Sequence, residues 1–322
     1  MKALVTGGTG FVGSHLIDTL LAQGDQVTAL VRSPAKAARL SAAGVRLVEG
    51  DLHATEQLRA AARGADVVYH VAGRVSAPDD AAFLRANRDG TANVLAAAVA
   101  SGLPRFVLVS SMAAGGPSGR GRPLTGSEEP RPVTAYGRSK LAGEAVVRAG
   151  PLPWVILRPP MVYGPRDTEV LKLFKLVRWG IAPVFGSGDQ ELSAIFGSDL
   201  ATALAAAGRS PSAVGKLYLP CHPEVFTSAE FVRQVGAVEG RRPLLVKVPE
   251  PIGRGLLSLI GGAAKLVGQA SVLSAEKADE FFEAAWTGDP STFMGDTGWR
   301  PAFDLAAGLA ATNAWYRAEG WI

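Results

Sequence analysis

One run near the start of the chain, Thr6-Gly-Gly-Thr-Gly-Phe-Val-Gly13, limits the possible folds more than any other. The residues before it, Lys2-Ala-Leu-Val-Thr6, are short, apolar and partly β-branched, as a buried parallel strand requires. The residues after it, Ser14 to Ala22, repeat apolar side chains at helical spacing. A glycine turn between a strand and a helix brings free N–H groups and the positive helix end against phosphates. Here Gly7 turns the chain tightly, Gly10 lets the backbone approach a pyrophosphate, and Gly13 lets the helix pack close to the strand. Thr9, Phe11 and Val12 belong to the same phosphate-facing set. The spacing G-x-x-G-x-x-G is one residue longer than the commoner dinucleotide fingerprint, so the strand and helix on either side carry the assignment.

A second motif, Tyr136-Gly-Arg-Ser-Lys140, sets a tyrosine and a lysine one helical turn apart on one face. A phenol with a pKa of about 10 is a poor acid–base group at neutral pH, and a nearby ammonium is expected to lower that value. A third element, Phe106-Val-Leu-Val-Ser110-Ser111, reads as a buried strand ending in two hydroxyls. Ser111 is the expected partner of a substrate oxygen within reach of Tyr136, with Ser110 nearer the cofactor.

Between these motifs, strand-like and helix-like segments alternate, which predicts an α/β fold with a Rossmann-type doubly wound parallel sheet. The strand candidates are Ala3–Thr6, Gln26–Val31, Val45–Glu49, Asp66–Val71, Arg105–Ser110 and Trp154–Arg158. The helix candidates are Ser14–Gln23, Pro34–Ala43, Thr55–Ala62, Asp80–Ser101 and Ala135–Ala149. Right-handed crossovers put the carboxyl ends of the strands on one ligand-binding edge. Residues 1–165 are assigned to nucleotide binding. Residues 166–322 are assigned mostly to a smaller, interleaved substrate-binding region, with 193–220 returning to the sheet through a strand at Lys216–Leu219. The long Gly-, Pro- and Arg-rich connection from Ala113 to Thr134 reads either as a substrate lid or as a loose surface excursion.

An apolar fraction of 48% supports a substantial core, and a net charge of +4 from scattered basic residues gives no sign of nucleic-acid binding. Cys221 is the sole cysteine, which excludes an internal disulfide and a thiolate metal cluster. No metal site is expected. The N-terminus runs straight into a core strand, and the apolar stretch Ile252–Val267 is too short and too broken by Arg254, Lys265 and glycines for stable membrane insertion. A cytoplasmic protein is the expectation.

At this point the chain resembles the extended short-chain dehydrogenase/reductase family, the NAD-dependent epimerase/dehydratase group. The resemblance rests on Thr6–Gly13, Gly50-Asp51-Leu52, His70-Val-Ala-Gly73, Asn87-Arg-Asp-Gly-Thr91, Ser110-Ser111 and Tyr136–Lys140. It continues through Arg158-Pro-Pro-Met-Val-Tyr-Gly-Pro165, Ser198-Asp199-Leu-Ala201, Gly298-Trp-Arg-Pro301 and Trp315-Tyr316. It implies hydride transfer at a nicotinamide, with Tyr136 as general acid–base, Lys140 on the nicotinamide ribose and Ser111 orienting the substrate. By the same resemblance Asp51 and Leu52 border the adenine, Ala72 and Gly73 run along the ribose and phosphates, and Pro159 and Val162 adjoin the cofactor. Asn87 either supports the catalytic network or is structural. The resemblance also implies a homodimer through the Asp80–Ser101 and Ala135–Ala149 helices.

The second strand ends in Arg32-Ser-Pro-Ala-Lys36, with no acid between Val27 and Lys36 to hold a ribose 2′-hydroxyl, so NADP(H) is favoured and NAD(H) remains open. Nucleotide-sugar members of the family carry asparagine where this chain has Met161, and arginine where it has Leu192. A pyrophosphate would find no partner on either side chain. With Met112 beside Ser111, these residues suggest a small, largely apolar substrate, in the manner of the dihydroflavonol-reductase and 3β-hydroxysteroid-dehydrogenase branches. Ile252 to Leu273 reads either as the wall of an apolar pocket or as an amphipathic helix covering the core. The leading expectation is therefore an oxidoreductase interconverting a secondary alcohol and a ketone. The alternatives are a sugar epimerase or dehydratase that recycles NAD, and a non-catalytic NADP-binding redox sensor.

Overall fold

The computed structural model describes residues 1–266 and 275–322, with the side chains of 263–266 and 275 outside the description. The first half supplies β1 (Lys2–Thr6), β2 (Gln26–Val31), β3 (Arg46–Glu49), β4 (Val67–His70), β5 (Phe106–Val109) and β6 (Trp154–Leu157). The second half adds β7 (Met161–Tyr163), β8 (Ile181–Phe185), β9 (Glu191–Leu192), β10 (Ala194–Phe196), β11 (Lys216–Tyr218), β12 (Phe226–Thr227), β13 (Leu244–Val248) and β14 (Ala285–Trp286). The main sheet has seven strands in the order β11-β6-β5-β4-β1-β2-β3, and every neighbouring pair is parallel. This is a Rossmann-type α/β fold.

Strands β4 and β5 are buried along their whole length, because crossover helices cover both faces of the sheet. The helices of this half are α1 (Phe11–Ala22), α2 (Ala38–Ala42), α3 (Thr55–Ala62), α4 (Asp80–Leu84), α5 (Gly90–Ala100), α6 (Met112–Gly115) and α7 (Ala135–Ala149). Strand order reverses between β1 and β4, so the glycine turn after β1 and the loop after β4 face one crevice.

Strand ends shift by a residue from the sequence reading, and the helices depart from it further. Helix α1 starts at Phe11, three residues before Ser14, since extended Gly10 serves as its N-cap. Pro34 opens a 3₁₀ turn, Pro34–Ala37, ahead of α2. Asp80 to Ala100 contains a π-helical turn, Arg85–Asp89, between α4 and α5. Such turns often occur at functional sites, and this one carries Asn87.

Helix α8 (Glu169–Arg178) lies in the second half, and α9 (Gly197–Arg209) packs on α1 before the chain rejoins the main sheet as β11. Among the described residues, three small sheets complete the second half: β10 with β7, β12-β9-β14, and β13 with β8. A second hydrophobic cluster built on Tyr163, Phe174, Phe196 and Tyr316 fills this region.

The Ala113–Thr134 connection is stitched down rather than loose: Ser118 pairs with Ala285, and Leu124 pairs with Gly288. In the helix Glu250–Leu266, Gly253 and Leu257 are buried while Ile252 and Leu259 are 63% and 73% exposed, the pattern of the amphipathic-helix reading. The rest of that stretch, residues 267–273, lies outside the described residues.

Candidate active site

The glycine turn has the shape expected of a phosphate cradle. Gly7 takes φ 75°, and a Cβ there would lie 2.7 Å from the Ala72 nitrogen. A Cβ on Gly13 would lie 2.2 Å from the Gly7 carbonyl oxygen, so the helix approaches the strand only with glycine in that position. No side chain caps α1, which leaves its first N–H groups facing the turn. Thr9, Gly10, Phe11, Ser14, Lys36 and Arg39 line a cavity of about 160 Å³ at this helix end. A nucleotide pyrophosphate fits this donor set.

Arg32 is exposed just past β2, outside that lining, whereas Arg39 and Arg166 belong to it and the sequence reading missed both. Arg39 follows Lys36 by one helical turn, a signal that was available. Arg166 arrives from far along the chain, where only the fold could reveal it. It adopts φ 74° and binds Ser14 Oγ at 3.1 Å and Asp18 at 2.8 Å. Asp18 also accepts from Arg39 at 2.9 Å.

Along the crevice, the Ala72 N–H donates to Thr6 Oγ1 at 3.3 Å. Asp51 is exposed and accepts from the His53 N–H at 2.7 Å, and Leu52 lies against Gly90. Pro159 accepts from the Met112 N–H at 2.9 Å, and Val162 is half-buried on β7 opposite Ile195.

Ser111, just beyond β5, is the N-cap of α6, and its Oγ accepts from the Ala113 N–H at 3.2 Å. Thr134 caps α7 in the same manner. The two helices approach closely because residue 137 is glycine: a Cβ there would lie 2.3 Å from the Ala113 carbonyl oxygen. This sets the Ser111 hydroxyl near enough to Tyr136 to favour its phenolate.

The electrostatics correct the expectation for this tyrosine. Burial pushes Tyr136 up to about 12, the Ser111 hydrogen bond pulls it down, and the Glu280 carboxylate raises it further. Desolvation of a phenolate dominates, and the Lys140 ammonium is engaged elsewhere. It donates to the Val109 carbonyl at 2.6 Å, and burial lowers it to about 8 against the opposing pull of Glu144.

Lys140, Gly73 and Asn87 converge at the end of β4. A Cβ on Gly73 would lie 3.5 Å from Lys140 Nζ and 3.0 Å from Asn87 Oδ1. Asn87 accepts from the Arg74 N–H at 2.8 Å and donates to Ser139 Oγ at 2.9 Å, tying the loop after β4 to the helix of Tyr136.

Ser110 does not present its hydroxyl as the sequence suggested. It donates to Glu144 at 2.5 Å, and Arg158 adds two hydrogen bonds to the same carboxylate, at 2.8 and 2.7 Å. This buried cluster joins β5, β6 and α7; Ser110 and Arg158 stand in separate sequence motifs, and Glu144 in none. Glu276 accepts from the Ala135 N–H at 2.7 Å and Glu280 from the Thr134 hydroxyl at 3.1 Å. These contacts hold the helix Ala275–Phe281 on the start of α7. No local pattern announced either contact.

The expected substrate residues separate. Met112 is buried, beside Gly288. Met161 and Leu192 are half-buried on β7 and β9, against the second hydrophobic cluster.

The comparisons with known proteins decide the family. The model of the NAD-dependent epimerase/dehydratase family matches residues 3–219. The chain belongs to that family. It is thus an NAD(P)-dependent oxidoreductase of the extended short-chain type. It is 36% identical to the ceramide reductase of Caulobacter vibrioides, over 99% of this chain and 95% of that one. It is 28% identical to the 2-alkyl-3-oxoalkanoate reductase of Shewanella oneidensis, over 82% and 73%. It is also 28% identical to the UDP-glucose 4-epimerase of Vibrio cholerae, over 76% and 78%. A UDP-glucuronic acid 4-epimerase of Bacillus cereus, solved with NAD, shares the fold at TM-score 0.80 and 21% identity, covering 99% of both chains.

The Lys140 shift carries a testable sign. Its folded pKa of about 8 lies below the ordinary 10.5. The folded protein therefore binds fewer protons than the unfolded one between those values, and this group's contribution to stability rises with pH across that window. Urea titrations of wild type and Lys140→Met from about pH 7 to 9.5 should show a rise in wild type that flattens in the variant. Parallel curves would mean that Lys140 is not buried as described.

Proposed function

We propose that this enzyme reduces a ketone on a largely apolar small molecule with NADPH, using Ser111, Tyr136 and Lys140. The observation that carries the reading is the place of Tyr136, half-buried in the first turn of α7, where desolvation raises its phenol to about 12. A phenol that stays protonated at neutral pH is ready to act as an acid, as carbonyl reduction needs. A bound reduced nicotinamide supplies the hydride. Ser111 donates a hydrogen bond to the carbonyl oxygen, and Tyr136 gives that oxygen its phenolic proton as the carbon receives the hydride. Lys140, with Asn87 behind it, holds the ribose, and a positive charge there helps the tyrosinate that remains.

An apolar, long-chain substrate fits Met161 and Leu192, which offer no partner to a pyrophosphate, and fits the likeness to a ceramide reductase along nearly the whole chain. NADP(H) is favoured over NAD(H) by Arg32, Lys36 and Arg39 around the end of β2. Residues 1–165 bind the nucleotide, and 166–322 mostly bind the substrate, with 193–220 serving the sheet. We assign a cytoplasmic setting and a homodimer paired through α5 and α7.

The likeness to a UDP-glucose 4-epimerase supports a second reading, a sugar epimerase that keeps its NAD. Denaturing the fresh protein and weighing the released nucleotide separates the two. Empty protein that then oxidises NADPH with a long-chain ketone supports the reductase. Near-stoichiometric NAD overturns it. The Arg32→Ser variant should raise KM for NADPH about tenfold, the loss of one charge-assisted contact, and leave KM for NADH unchanged. An equal change for both nucleotides would reject NADP selection by this residue.

A further inference from the structure

We propose that the face formed by the β8–β13 ribbon and the helix Glu250–Leu266 docks on an anionic lipid surface. The ribbon pairs Leu244 with Ile181 and Val246 with Pro183 in parallel register, so these side chains share its outer face. Leu244 is 67% exposed, and Trp179, two residues before Ile181, is 84% exposed. The helix continues directly from the ribbon. Ile252, Leu256 and Leu259 repeat at helical spacing on its exposed side, beside the buried stripe of Gly253 and Leu257. Large apolar side chains concentrated in this way mark an interaction surface.

Charge selects the occupant. Arg178, Arg241, Arg242 and Lys247 are exposed around the ribbon and join no ion pair with a carboxylate among the described residues. The acid that opens the helix, Glu250, is neutralised by Arg254 at 2.9 Å. A second copy of this face would set like charges against one another, whereas anionic headgroups complement them and an exposed tryptophan suits the headgroup layer. Arg254 also reaches Asp279 at 2.7 Å, and Gly253 packs on Phe282. The docking helix thus rests on the segment whose Glu276 and Glu280 hold the start of the Tyr136 helix. A long-chain ketone drawn from the bilayer would enter beside the proton donor. This delivery role rests on the ketone-reductase reading; the docking itself does not.

The test is flotation of the full chain with vesicles of phosphatidylcholine and phosphatidylglycerol, against phosphatidylcholine alone, with no nucleotide or ketone present. We expect wild type to float with the anionic vesicles. The Ile252→Ser/Leu256→Ser/Leu259→Ser variant, with an unchanged thermal melt, should float at least tenfold less and still reduce a water-soluble ketone. Wild type left at the bottom of the gradient, or a triple variant that floats as well as wild type, overturns the proposal. So does a triple variant that loses only a dimer, since a second copy would then be the occupant. Flotation without ketone reduction would sink the proposed reaction and leave docking standing; reduction without flotation would do the reverse.

Discussion

Tyr136→Phe should lower ketone reduction by about 10²- to 10⁴-fold, the range of a lost general acid. The ring stays in place because its packing needs no hydroxyl: Tyr136 lies 6.1 Å from Phe83, ring centre to ring centre, in the first turn of α7. Nucleotide affinity should therefore hold, and the loss should fall on kcat rather than on KM. Single-turnover kinetics with NADPH and titration of nucleotide binding measure the two separately. Full turnover in the variant would remove Tyr136 from the chemistry. Retained nucleotide binding with no turnover in either protein would reject the substrate class instead.

The second large effect is structural. Arg158→Leu should destabilise the protein by about 3–5 kcal/mol, since it leaves the Glu144 carboxylate buried without its partner. Glu144 is fully buried and Arg158 nearly so. Against a typical total of about 5–15 kcal/mol this is a large fraction. The Glu144→Leu/Arg158→Leu double variant should recover much of the loss, because a dry apolar pair has no charge to desolvate. Urea denaturation of all three proteins measures this. A single variant as stable as wild type would mean that water reaches Glu144. Because the same carboxylate holds Ser110 and α7, the single variant should also turn over more slowly.

Features that depend on neighbours along the chain could be read from the residues alone. A strand, glycine turn and helix in immediate succession leave few geometries, so the tight turn at Gly7 and the close packing at Gly13 were legible from local order. The spacing of Tyr136 and Lys140 on one helical turn was equally local, and the buried strands announced themselves as apolar runs. Tertiary structure decided whatever depends on partners brought from afar. Arg166 reaches Asp18, Glu280 reaches Thr134, and Ser110 gives its hydroxyl to Glu144 instead of to the crevice. The same limit governs Tyr136, whose sequence neighbour Lys140 promised a lowered pKa while burial by the whole fold raised it. It governs the helix Glu250–Leu266 as well, where periodicity defined apolar stripes but not which of them would find cover. A repeating pattern states which side chains share a face; only the packed chain supplies, or withholds, the surface that meets it.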